Sequence, residues 1–249
     1  MKIGIEINGV LRDIVTKMEQ VYQKYLIDEM DENSSFVYEM DLPVTSFDFS
    51  KHFKFRNDDE YYSFLYEEFV MQLFGHAPST ENSTFYDYDE IYQKHKENHR
   101  FILFSNDIGK AKPATLFFIS KFACQCDKIV FVTKFNEHEF LDEVDMIVTT
   151  SPILLSENYN KIMVKYEMPY NKDIDTELTI SNFKELDIIL ENILENIISE
   201  KYNDIVYEKM NHIPHSGDAW LILDNNKKII VESKNYTTII NKDEINKLE

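Results

Sequence analysis

Arginine occurs only three times in 249 residues, as Arg12, Arg56 and Arg100, against a net charge of −19. That balance excludes a general binder of nucleic acid or of anionic membranes, since neither supplies the cations such a surface attracts. Cysteine occurs twice, as Cys124 and Cys126. Residues that close rarely bridge, and with no second pair or nearby histidines to complete a zinc site, they read as half-buried thiols in a reducing compartment. No signal peptide precedes the first apolar run, and no run approaches membrane-spanning length. The expectation is a soluble, intracellular protein. Internal repeats and low-complexity tracts are also lacking.

What is present suits a packed protein. The hydrophobic fraction is 43%, and 15 Tyr and 18 Phe favour burial or interfaces over disorder. Lys, Asn, Ile and Tyr are common, a bias of AT-rich genomes such as those of many phages. KIGIEIN reads as a buried strand, and Leu11 to Ile27 carries Leu11, Ile14, Val15, Met18, Val21, Tyr22 and Tyr25 at helical spacing. After an acidic, aromatic stretch, with expected helices at Asp58–Phe74 and Asp87–Asn98, strand and helix alternate again. The expected elements are strand Phe101–Ser105, helix Lys112–Cys124, strand Lys128–Thr133, helix Glu137–Asp142, strands Asp145–Thr149 and Lys161–Tyr166, and helix Asn182–Lys201.

This predicts an α/β fold, a Rossmann-like parallel sheet with helices on both faces. The expected domains are a core of residues 1–27 and 99–201, an inserted helical cap at 28–98 and a C-terminal β-hairpin extension at 202–249. In the extension, AWLILDNNKKIIVES has two apolar runs around Asp224-Asn225-Asn226, and Lys234–Ile240 is a candidate third strand.

Four stretches carry a resemblance. GIEINGVLRD places a strand before a Gly turn, FILFSND ends a strand at Ser105, VTKFNEHEFLDEVDMIVTTSP carries Lys134 and then Thr149-Thr150-Ser151-Pro152, and KIMVKYEMPYNK contains Pro169 to Asn171. In order and spacing these resemble the motifs of the haloacid dehalogenase (HAD) superfamily of phosphotransferases, and within it the 5′(3′)-deoxyribonucleotidases and their phage-encoded relatives. The resemblance covers roughly residues 1–200. It implies a site in which an Asp nucleophile, a second Asp two residues on and acids of the fourth motif hold Mg²⁺ and transfer a phosphoryl group.

Here those positions hold Glu6, Asn8, Thr149 and Thr150. Glu6 extends its carboxylate by one methylene, and misplacement on the order of 1 Å can cost about 10²-fold in rate. Asn8 cannot exchange a proton, and neutral hydroxyls are poor substitutes for the anionic ligands of a hard cation. The leading expectation is a non-catalytic HAD-like protein, with no cofactor, serving as a structural or protein-binding component of a phage virion or similar multi-copy assembly. Its expected partners are other protein subunits, with no membrane and no direct nucleic-acid contact. The alternative is a Mg²⁺-dependent 5′(3′)-deoxyribonucleotidase or related phosphatase with an altered site, for which Asp107 is the candidate replacement acid; a nucleotide sensor is a third class. A vestigial phosphate pocket would use Asn8, Gly9, Ser105 and Lys134, set against a reading of Lys134 as a surface lysine. His95/His99 and His212/His215 lack the surroundings of a metal site. FDFSKHFKF (residues 47–55) is expected as cap core or a protein-facing edge.

Overall fold

The computed structural model describes residues 1–28, 36–157, 159–201, 206–209, 219–222 and 228–231. Its strands β1 (Lys2–Glu6), β2 (Arg100–Ser105), β3 (Lys128–Phe131), β4 (Met146–Thr149), β5 (Ile162–Tyr166) and β6 (Leu178–Ile180) form one parallel sheet, ordered β3-β2-β1-β4-β5-β6. The helices are α1 (Ile14–Asp28), α2 (Asp58–Ser63), α3 (Thr84–His95), α4 (Ala111–Lys121), α5 (Glu137–Glu143), α6 (Pro152–Ser156) and α7 (Glu185–Lys201). The chain is therefore α/β and Rossmann-like. Strand order reverses between β1 and β4, which opens a crevice at their carboxyl ends, where such sheets place their sites.

The apolar run of β2 shows why both faces are covered. Successive side chains of a strand point to opposite faces. The Phe101 ring packs on Tyr88 and Tyr92 of α3, with centroids 6.3 and 5.4 Å apart. Phe104, on the other face, lies 4.6 Å from the Phe140 ring of α5.

The structure corrects several boundaries. The helix expected from Leu11 begins at Ile14, because Leu11 and Arg12 turn back to donate to the Ile7 carbonyl and the Asp13 side chain caps the first turn through the Thr16 N–H. The expected helix Asp58–Phe74 is α2 followed by two π-helical turns, Phe64–Glu68 and Met71–Gly75. Phe64, Phe69 and Phe74 recur every five residues, and the wider turn closed by Phe69 N–H to Phe64 O brings the first two rings to 5.0 Å. In the FDFSKHFKF stretch Phe53 is buried in the cluster built on α1, and the buried His52 Nε2 accepts from the Ser46 N–H at 3.0 Å.

The chain divides into two compact units, Met1–Glu185 and Leu186–Glu249, whereas the sequence reading divides it at 201/202. The second unit contains most of α7 and an antiparallel sheet of β7 (Val206–Lys209), β8 (Ala219–Ile222) and β9 (Lys228–Val231), in that order. Strands β8 and β9 are the two apolar runs expected to pair, and β7 is an element the sequence reading missed. The turn at Asp224–Asn226, the candidate strand Lys234–Ile240, and His212 and His215 lie outside the described residues. Among the described residues, no helix is long and apolar enough to cross a membrane.

Candidate functional site

Alternation along β1 decides where Glu6 points. A Cβ on Gly4 would lie 3.2 Å from the Phe140 ring of α5, so Glu6, two residues on, faces the same side. There it is buried, and Oε2 accepts from Thr149 Oγ1 (2.5 Å), the Thr150 N–H (2.9 Å) and Thr150 Oγ1 (3.3 Å). Thr149 and Thr150, themselves buried, thus stand at the end of β4 as hydrogen-bond donors to the carboxyl. Burial pushes the Glu6 pKa above its ordinary 4.5, and the hydrogen bonds from Thr149, Thr150 and Ser151 oppose it only in part.

Asn8 turns to a different set of partners. Its Nδ2 donates to Asp107 Oδ1 (3.0 Å), Ser105 Oγ (3.3 Å) and Asn106 Oδ1 (3.5 Å). Its Oδ1 accepts from Arg12, through Nε at 2.9 Å and through Nη2. Arg12 is fully buried, with Cζ 5.1 Å from the Phe74 ring centroid and 5.3 Å from that of Phe118. Its Nη1 donates to Phe74 O and Thr115 Oγ1, both at 2.7 Å, and Nη2 donates to Asp107 Oδ2 at 2.7 Å. These bonds engage all five guanidinium N–H groups. Thr115 Oγ1 also donates to Asp107 Oδ2 (2.5 Å), and the Asp107 N–H donates to Ser105 Oγ (3.2 Å).

Sequence alone does not single out Arg12 or Thr115. The available signal was an arginine in an arginine-poor chain, four residues after Asn8 and set among apolar residues. Asp107 does reach Asn8, as its position after β2 suggests, but it is the buried counterion of Arg12.

Gly9 makes the turn with φ +85°, and the Thr150 hydroxyl closes over it. Asn171, in the 3₁₀ turn Pro169–Asn171, is buried and donates to Thr150 O (3.0 Å) and Tyr166 O (2.9 Å), fixing the chain after β4. Lys134 is exposed in the turn after β3. The structure brings Glu6, Thr149 and Thr150 together, and Asn8 with Ser105, the Thr150 hydroxyl joining the two sets through the Asn8 carbonyl at 3.4 Å; Lys134 has no hydrogen bond to either set. Asp145 sits at the other end of the sheet, accepting from the Lys2 N–H at 2.7 Å.

Beside Glu6 a cleft of about 150 Å³ opens between α5 and α6, lined by Phe47, Phe104, Asn106, Val132, Glu137, Phe140, Leu141, Ser151, Ile153 and Leu154. It is the open end of the apolar cluster formed by Ile102, Phe104, Phe140, Leu141, Val144 and Ile147.

These residues do not fit the divalent cation that the resemblance implies. A magnesium ion takes oxygens in near-octahedral array, carboxylates among them. Glu6 Oε2 meets three donors, Thr149 and Thr150 are neutral, and Asp107 is held by a guanidinium. The Glu6 shift has a consequence for stability. The folded protein holds the Glu6 proton over an interval, starting at 4.5, in which the unfolded chain has lost it, so this contribution is complete at low pH and is lost as pH rises through the interval. The native protein should therefore lose melting temperature relative to Glu6→Gln as pH rises above 4.5, as followed by thermal denaturation. A constant difference across that range would show a carboxyl that titrates normally.

No protein-family model matches the chain, and no curated protein matches it.

Proposed function

We propose that the chain is a catalytically inactive HAD-like protein, with residues 28–98 as its cap, acting as a structural or protein-binding component of a multi-copy assembly such as a phage virion. One observation carries the loss of chemistry: Arg12 spends all its donors inside the fold, on Asn8, Asp107, Thr115 and Phe74 O. At the position of the resembled acid/base, Asn8 therefore belongs to a closed network. At the position of the nucleophile, Glu6 is a buried carboxyl whose Oε2 is occupied by three donors from Thr149 and Thr150, which leaves it weakly nucleophilic. The resemblance itself is supported by strand order and by Glu6, Ser105 and Thr149 standing at the carboxyl ends of β1, β2 and β4.

The role in assembly rests on the composition of the chain and on its surfaces. Among the described residues, β3 and β6 are the edge strands of the six-stranded sheet, and such edges can pair with a neighbouring chain. Phe135, beside Lys134, is 98% exposed. Sedimentation of the purified full chain, together with cross-linking and pull-down from cells producing it, tests the role. The expected result is a defined oligomer or a stoichiometric protein partner. A monomer at high concentration that captures no partner would overturn it.

A further inference from the structure

The cleft beside Glu6 is absorbed neither by the resemblance nor by the closed Arg12 network. We propose that it binds a small primary amine with an aromatic or branched apolar body, not a phosphate.

Position, size and charge support this. The cleft lies at the carboxyl ends of β1, β2 and β4, next to the strand-order reversal, where open α/β sheets receive ligands. Its volume of about 150 Å³ matches an apolar cavity that takes up benzene. Phe47, Phe104, Val132, Phe140, Leu141, Ile153 and Leu154 make its walls mainly apolar, as small-molecule sites are.

The charged residues in its lining are Glu6 and Glu137, and no lysine, arginine or histidine accompanies them. A phosphate entering here would meet two carboxyl groups. The buried cation nearest in sequence, Arg12, has no donor left to offer it, and Lys134 is not part of the lining. An ammonium group meets the opposite situation. Glu137 supplies a carboxylate at the start of α5, Glu6 stands as a second acidic group in the lining, and Asn106 and Ser151 add polar atoms. The net charge of −19 raises the local concentration of cations and lowers that of anions. The apolar body displaces water from the phenyl and leucyl walls.

The test is calorimetric titration of the full chain with four probes: 2-phenylethylamine, 2-phenylethanol, phenylacetate and inorganic phosphate. The amine should bind at least about tenfold more tightly than any of the others. Leu154→Trp, which fills the cleft, should reduce amine affinity by about tenfold or more. Glu137→Gln, at a partly exposed helix start where folding is little affected, should weaken the amine several-fold and leave 2-phenylethanol unchanged. Phosphate or phenylacetate binding as tightly as the amine would overturn the proposal. So would amine binding that neither variant alters, or no amine binding at millimolar concentration.

Discussion

Arg12→Met should destabilise the protein by about 3–5 kcal/mol, the cost of breaking a buried ion pair from one side. The substitution keeps an unbranched apolar stem between Phe74 and Phe118 and removes five donors at once. Asp107, 2% exposed, is left with a charge that the Asn8 amide and the Thr115 hydroxyl cannot neutralise. Asn8 loses the partners that orient its side chain oxygen. Urea denaturation monitored by circular dichroism measures the loss, and a double-mutant cycle with Asp107→Asn isolates the pair. Because Asn removes the charge that Met leaves unpaired, the double variant should recover much of the stability. A loss below about 1 kcal/mol for Arg12→Met would place the guanidinium in water, as expected of a surface pair.

Gly9→Ala has the second-largest expected effect, for a steric reason. At φ +85° an L residue costs about 1–2 kcal/mol from backbone strain. The added Cβ would stand 2.4 Å from Thr150 Oγ1, 2.8 Å from Thr150 Cγ2 and 3.0 Å from the Tyr170 hydroxyl, and relieving such overpacking typically costs about 1–3 kcal/mol more. Thr150 cannot retreat freely, since its N–H and hydroxyl hold Glu6 and its carbonyl holds Asn171. The damage should therefore extend to Glu6, and the pH dependence of melting described above should weaken in the same variant. Gly109→Ala is the control: φ is +51° there too, but nothing lies within 4 Å of the added methyl, so only the backbone cost remains.

The sheet was legible because its strands are short apolar runs separated by helical periodicity, and β1, β2, β4 and β5 fall within a residue or two of their expected bounds. Strand β6 escaped because three residues of ELTI carry too little pattern to be distinguished from a loop. The π-helical turns escaped because aromatic residues on every side of Tyr61–Phe74 satisfy an α-helical template and a wider one alike. The positions of Glu6, Ser105, Thr149 and Thr150 could be read from the strands that end in them. Arg12 could not, because a guanidinium between strand and helix looks solvated until its partners are known. Those partners, Phe74, Asp107 and Thr115, lie 62, 95 and 103 residues downstream. The two-sided site had a similar cause. Glu6 and Asn8 are neighbours in sequence, yet one faces α5 while the other meets the loop after β2 and a guanidinium held by α4.

Under the proposed reading, the closed network also decides what a phosphatase site in this fold would require. Restoring Glu6→Asp, Asn8→Asp, Thr149→Asp and Thr150→Asp places a new carboxylate directly on Arg12, which would hold it as it holds Asp107. Rebuilding must therefore also release that cation, for example with Arg12→Gln. The most direct measurement is phosphate release from deoxynucleoside monophosphates with and without Mg²⁺, comparing the native chain with the fourfold and fivefold variants. No release above a blank is expected from the native chain at any magnesium concentration, and turnover in a variant only where Arg12 has also been replaced. Magnesium-dependent turnover by the native chain, abolished by Glu6→Gln, would contradict the proposed reading.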